Sequence, residues 1–506
     1  MATPTYPGVY IEEIPSGVRT ISGVATSITA FVGTADRGPT NDVTRVTSFG
    51  EFERYFGGLA YGHPLTYSVY QYFQNGGQIA LIVRVAGAGA VAATFTATSS
   101  FTLSALSAGT WGNRLAAVID LATSDPTDTT LFNLTVTLTD ADGDVVRVET
   151  YRNLSTSDTA ATYAPRVLAD DSLLVRINGS ITGAPTAGSL TVGTSGTDAT
   201  PSAAELTGTS SARTGIYALD NADIFNLMVL PGTSRTGEST SYSGTWAPAL
   251  AYCQSRRAIL LIGPLSDWST SSAVESATGS TSTTGLPGLL SSYSSVYFPR
   301  INLQDPLLDS RVVDFDPCGV VAGIIARTDA TRGVWKAPAG LDAKVLGSRG
   351  AEIVMTDGDS ALLNPLGVNV LRDFNLVGTV VWGSRTGVGA DRLASEWKYL
   401  PVRRTALYIE ESLYRGSQWA VFEPNDAPLW AQLRLNIGAF MHSLFRQGAF
   451  QGESAKDAYL VKCDAETTTQ DDINRGIVNV IVGFAPLKPA EFVIIKIQQL
   501  AGQVAA

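Results

Sequence analysis

Apolar positions along this chain follow two rhythms, and each predicts a different element. Unbroken apolar runs bounded by turn residues predict strands covered on both faces: Ile28 to Gly33, Ile79 to Val85, Phe225 to Gly232 and Ala258 to Gly263. Between the first two, Leu65 to Gln74 is expected to be helical. Asn75-Gly76-Gly77 supplies its stop, because glycine accepts left-handed backbone at a helix end. Another helix is expected near Trp246 to Ser255, so the pattern alternates strand and helix. Much later, Leu429, Leu433, Ile437, Phe440 and Leu444 recur at helical spacing and place one apolar stripe on a helix over Asp426 to Phe445, behind Pro424-Asn425 as a cap. That stripe should be core.

From about Ala90 to Ala212 the rhythm changes to strict alternation. Leu131 to Leu138 and Val145 to Val148 read as two period-2 strands around the turn Asp140-Ala141-Asp142-Gly143, a hairpin. This stretch carries 12 Asp and Glu against 5 Arg, a balance of -7 out of the chain's -11, and is read as an inserted β-rich domain with a solvated outer face. Ser266 to Ser292, rich in Ser, Thr and Gly, is expected to be a mobile surface loop.

Both chain ends break from these patterns. The first 20 or so residues hold three prolines and two glycines around Val9-Tyr10-Ile11 and read as an extended arm. At the other end Glu491 to Gln498 has the β-branched content of a strand, set off by Pro486 and Pro489. A loose apolar strand is an aggregation hazard unless it joins a sheet, either its own or a neighbour's.

Size and composition narrow the remaining choices. With 506 residues, 44% apolar and 16% charged, the chain can bury a sizeable core and lies far from the disordered class. A net charge of -11, with the first lysine at Lys336, argues against a direct nucleic-acid partner, which needs clustered cations. Cys253, Cys318 and Cys463 stand far apart with no metal-ligand spacing, so no metal, no disulfide framework and a reducing compartment of synthesis are expected. The opening Ala2-Thr3-Pro4-Thr5 is unlike a signal peptide, and no apolar run approaches a membrane span; neither secretion by that route nor membrane insertion is expected.

Several segments match no catalytic chemistry: Trp397 to Thr405 (WKYLPVRRT), Val421-Phe422-Glu423-Pro424-Asn425, and Ala485 to Phe492 (APLKPAEF). Together with Tyr6 to Glu13 (YPGVYIEE), Val334 to Gly340 and Val381 to Thr386, they resemble contractile tail sheath proteins of phages and phage-tail-like injection systems. Thr110 to Asn113 and Gly215 to Asp220 are similar to weaker signatures of that family. The resemblance spans nearly the whole chain except much of the insertion.

It implies an α/β (α+β) multidomain protein with a mixed-sheet α/β core. The expected division is an N-terminal arm (1–20), a core (21–89 and 213–394), an inserted β-rich outer domain (90–212), a C-terminal sheath domain (395–488) and a C-terminal arm (489–506). By that resemblance the protein is a structural subunit that polymerises helically, or as stacked hexameric rings, around an inner tube, and contracts to drive the tube through a target envelope without nucleotide hydrolysis. Its arms would exchange strands between subunits through Val9, Tyr10 and Ile11 at one end and Phe492, Val493, Ile494, Ile495 and Ile497 at the other. Arg434 and Arg446, off the apolar stripe, are candidate contacts to the inner tube, or simply solvated arginines. Arg403-Arg404, read as part of or just before a strand, would point to opposite faces, so at most one serves a given interface. Baseplate and terminator or cap proteins are the other implied partners, in a virion tail or tail-like particle assembled in the bacterial cytoplasm. No cofactor is implied.

Two other classes compete. An α/β enzyme would need a site, but the only histidines are His63, beside Pro64, and His442, on the amphipathic helix. No phosphate-binding glycine loop, G-x-S-x-G or H-E-x-x-H occurs, and Glu12-Glu13, Glu410-Glu411 and Asp471-Asp472 read as solvated or partner-facing. The Thr/Ser-rich insertion suggests instead a surface-displayed adhesin or receptor-binding particle protein. That is the alternative to a sheath.

Overall fold

A computed structural model describes residues 19–97, 101–235, 243–279 and 286–496. It divides into two compact units, one of Ala25–Thr331 with Pro338–Leu400, the other of Pro401–Ala506 with Arg332–Ala337 and Met1–Val24.

The larger unit is built on an eight-stranded mixed sheet. Its strands are β1 (Thr29–Gly33), β2 (Val43–Val46), β3 (Ala80–Arg84), β4 (Leu227–Val229), β5 (Ile259–Ile262), β6 (Ser294–Phe298), β7 (Val368–Phe374) and β8 (Gly378–Val381), ordered β8-β7-β6-β5-β4-β1-β3-β2. Every pairing from β7 to β3 is parallel, and the two outermost strands pair antiparallel. The continuous apolar runs are explained by this placement: β1, β3, β4, β5 and β6 are buried at every position. Helix α1 (Pro64–Gln74) ends where the glycines predicted it, and helix α2 (Cys318–Arg332) packs against it. The approach is close because Gly319 and Gly323 have no side chain: a Cβ there would lie 2.4 Å from the Ser68 carbonyl oxygen and 2.5 Å from that of Tyr72.

The segment after β3 forms two four-stranded antiparallel sheets. One orders Gly188–Ser189, Leu115–Asp120, Leu131–Thr139 and Val145–Ser155; the other orders Thr191–Val192, Thr94–Ala97, Phe101–Ala105 and Val175–Ile177. They enclose a separate core that includes Phe95, Leu103, Trp111, Phe132, Leu134 and Leu154. The expected hairpin is present, with Thr137 opposite Val148 and the Asp140 carboxylate accepting from the Asp142 and Asp144 amides in the turn. Arg84, buried at the end of β3, fastens this segment to the sheet. Its guanidinium donates to the carbonyls of Ala35 and Gly38 and, at 2.7 Å, to that of Ala108.

Two expectations fail in instructive ways. Within Ser266 to Ser292, Ser271–Thr278 is a helix capped by Thr270, whose hydroxyl accepts from the Ala273 amide, and it buries Val274 and Thr278. A good cap and two buried positions outweigh the poor helix propensity of serine. Arg403 and Arg404 lie not in or before a strand but on helix α3 (Leu400–Gly416), where both are buried. Proline at the second position starts a helix as readily as it ends one, since the amide it lacks has no partner there anyway.

In the smaller unit α3 is followed by α4 (Ala427–Arg446) and a two-stranded antiparallel sheet of β9 (Tyr459–Lys462) and β10 (Ile481–Phe484). The predicted stripe of α4, Leu429, Leu433, Ile437, Phe440 and Leu444, is buried throughout. Its cap is Asp426, whose carboxylate accepts from the Leu429 amide. Asn425 instead accepts from the Trp430 indole at 2.8 Å and donates to the Ile477 carbonyl at 3.0 Å.

Candidate assembly interface

The C-terminal tail is where the backbone stops pairing. Phe450 and Pro486 still form an antiparallel bridge, and the Gln451 amide donates to the Ala485 carbonyl at 2.9 Å. Beyond Pro489 the described residues join no ladder. Phe492, Val493, Ile494 and Ile495 are 72%, 82%, 81% and 79% exposed, four consecutive large apolar side chains in solvent. Ile497 and the other arm's Val9, Tyr10 and Ile11 lie outside the described residues.

The β9–β10 sheet is short of strands. Tyr459 opposes Phe484 and Val461 opposes Val482, and this face packs on the Phe440 and Leu444 cluster of α4. The other face exposes Leu460 and Ile481, at 55% and 51%. Each strand has one edge with no ladder partner among the described residues. A two-stranded ribbon is marginal by itself and presents unpaired amides and carbonyls along both edges.

Residues 19 to 24 run along α3 and α4, a placement the sequence reading missed. The Arg19 amide donates to Asn436 Oδ1 at 3.2 Å, and its guanidinium stacks 4.6 Å from the Trp419 ring. Ile21 is buried with Ile409, Ile437 and Phe440, and the Val24 amide donates to Ser412 Oγ at 3.2 Å. Gly416 makes room, since a Cβ there would lie 2.6 Å from Ile21. The signal available in sequence was the small pair Ser412 and Gly416 at i and i+4 on one helical face.

The two tube candidates differ. Arg434 Nη1 donates to the Cys463 carbonyl at 2.5 Å, within its own unit, while Arg446 is exposed on the last turn of α4. Among the acidic pairs, Glu410 meets Arg403 at 3.3 Å, Glu411 meets Arg415 at 2.8 Å and Asp472 caps its own short helix by accepting from Thr469. Burial holds the His63 imidazole below its ordinary pKa, and His442 is exposed with Nδ1 3.2 Å from the Tyr459 hydroxyl. Cys253, Cys318 and Cys463 are buried free thiols, and burial pushes the pKa of each upward. Among the described residues no three His, Cys, Asp or Glu side chains stand together as metal ligands, and no helix is long and apolar enough to cross a membrane.

Comparison with known proteins agrees with the sequence resemblance. The family model described as phage tail sheath protein central domain matches residues 207–387, and that described as phage tail sheath C-terminal domain matches 394–499, together more than half of the chain. A prophage major tail sheath protein of Pseudomonas aeruginosa strain UCBPP-PA14 is 27% identical over 175 residues, a match spanning 34% of this chain and 42% of that relative's length. Among solved structures, the sheath complex of the extracellular contractile injection system PVC in its contracted state has a TM-score of 0.60 at 22% identity, covering 99% of each chain. The helical sheath of the anti-feeding prophage, also contracted, gives 0.59 at 23% identity over 98% of this chain and 100% of that one. A sheath tail protein from Listeria innocua gives 0.62 at 14% identity over 92% and 96%. These likenesses establish the mixed α/β multidomain fold, and with the two family models they place the chain in the phage tail sheath protein family.

Proposed function

We propose that this chain polymerises in many copies around an inner tube, and that its terminal arms tie each copy to its neighbours by adding strands to their sheets. The observation that carries this reading is the pairing of surpluses within one unit. Among the described residues, four exposed apolar residues of strand-forming type join no sheet, and a two-stranded sheet has no further strand beside it. Main-chain hydrogen bonding along an open edge supplies affinity, while alternate side chains supply register. The same logic covers Val9, Tyr10, Ile11 and Ile497. Because a donor strand and its acceptor are different surfaces, the contact is heterologous, and it builds rings where its rotation closes and an open helix where it does not.

Contraction then needs no bound nucleotide. Copies tethered by their arms repack from a sparse to a compact lattice, and each additional 100 Å² of apolar surface buried supplies about 2.5 kcal/mol. In this reading residues 21–89 and 213–394 repack as the body, 90–212 face outward, and 395–488 form the clasp, with Arg446 the stronger candidate for the tube because Arg434 is engaged at home. Baseplate and cap proteins would complete the particle.

Deletion of residues 1–17 or of 491–506 tests the clasp. Each truncated chain should remain folded and soluble by circular dichroism, yet form no tubes or rings by negative-stain microscopy. Normal tubes from both truncations would contradict the proposal.

A further inference from the structure

Phe422 is the most exposed large apolar residue of the described chain, at 103%. Its backbone is left-handed, with φ at 69°, a region disfavoured for a bulky side chain. Val421 beside it is 62% exposed. Neither hydration nor local backbone preference favours this arrangement, so the surroundings must enforce it. They do. The Val421 amide donates to the Gln418 carbonyl and the Glu423 amide to that of Ala420, closing a tight turn around Phe422. Asn425 then clamps the loop to Trp430 and Ile477. The aromatic ring is held out on a stiff support and makes no ring contact among the described residues.

The loop also has informative neighbours. Trp419, three residues before Phe422, carries the stacked guanidinium of Arg19, the first described residue of the N-terminal segment. Ile477, which Asn425 grips, leads through Val480 into the open-edged β10, and Val480 packs with Trp419 and Trp430. Phe422 thus belongs to the stretch of surface between Arg19 and the sheet proposed to receive strands, which under the proposed function is turned to other copies of the same chain. The sequence from Gln418 to Asp426 contains two carboxylates and no cation, so apolar contact is what this loop offers.

We propose that Phe422 is a docking knob that seats in an apolar recess of a neighbouring copy, adding a fixed contact beside the flexible arms. The inference rests on the reading of the chain as a self-assembling sheath subunit. A buried aromatic anchor at the centre of such a contact would dominate its affinity.

The test is photo-crosslinking from p-benzoylphenylalanine placed at position 422, in sheaths assembled from mixed light and heavy isotope-labelled subunits, with the same probe at position 493 as a separate reporter of the arms. Mixed-isotope peptides joining residue 422 to another copy are expected. Cross-links only to the tube protein, only within one copy, or none at all would overturn the proposal. Loss of the signal from 493 alone would instead break the strand-exchange reading and leave this one standing. In parallel, Phe422→Gly relieves the backbone conformation, so the subunit should melt at the same or a higher temperature while its critical concentration for sheath assembly rises at least tenfold. Assembly at the original concentration would refute the knob.

Discussion

The eight-stranded sheet of the larger unit and the two-stranded sheet of the smaller one handle the same problem in opposite ways. In the first, β1, β3, β4, β5 and β6 are buried at every position and the helices α1 and α2 close together through Gly319 and Gly323. In the second, two four-residue strands keep an open edge each, and an exposed apolar tail follows them without joining any ladder among the described residues. A sheet whose central strands are paired on both edges and buried on both faces serves stability. One left short of partners leaves both hydrogen bonding and apolar area for contacts outside the chain. The proposed strand exchange draws on the unit whose described sheet is left short of partners.

The largest break in this contrast comes from placing one carboxylate in each region. Val296 on β6 is fully buried, and Val296→Asp puts an unpaired charge among apolar neighbours, which should cost about 4 kcal/mol or more and abolish soluble folded protein. Val493→Asp, at a position 82% exposed, should change urea unfolding of the subunit by no more than about 0.5 kcal/mol. Yet it should prevent tube formation in negative stain. If Val493→Asp destabilises the subunit as Val296→Asp does, the tail is part of its own chain's core and the contrast fails.

A smaller effect separates the anchored base of the N-terminal segment from the arm beyond it. Gly416→Val would press on Ile21, and such overpacking typically costs about 1–3 kcal/mol. The Val24 amide, which donates to Ser412 Oγ, should lose protection from hydrogen exchange, while amides of β4 and β5 keep theirs. Unchanged exchange at Val24 would mean that residues 19 to 24 are held by something other than this groove.

Legibility in the sequence followed the range of the interactions involved. The stripe on α4 and the runs that became β1, β3, β4 and β5 could be read directly, because a period of apolar residues reports local geometry and burial together. The hairpin at Asp140 to Gly143 could be read from its turn chemistry. The helix Ser271–Thr278 escaped because its apolar content is two alanines and Val274, and its start depends on one capping hydroxyl. Arg403 and Arg404 lie on α3 rather than in or before a strand, and Pro401 is no obstacle because a helix tolerates proline in its first turn. The small pair Ser412 and Gly416 marks a groove on α3, but no window shows that Ile21 fills it, since Val24 and Ser412 meet across 388 residues of sequence. At the tail, the β-branched run from Glu491 reads as a strand in sequence, while the described residues 491–496 form none; the open edges of β9 and β10 left no local signal.

The finest test uses one substitution at two glycines. Gly323 on α2 has the Tyr72 carbonyl oxygen 2.5 Å from where a Cβ would stand, so Gly323→Ala must force the helices apart. Gly438, in the interior of α4, has no atom within 4 Å of that point and an ordinary helical backbone. There alanine adds no clash and reduces the conformational freedom of the unfolded chain, so Gly438→Ala should stabilise the subunit by about 0.5–1 kcal/mol in urea unfolding. The two changes should therefore differ in sign. Assembly adds a second readout, because a methyl group that stabilises the free subunit but raises the critical concentration for tube formation would show that this part of α4 lies against a partner. Equal critical concentrations would leave the contacts to the tail, the open edges and Phe422.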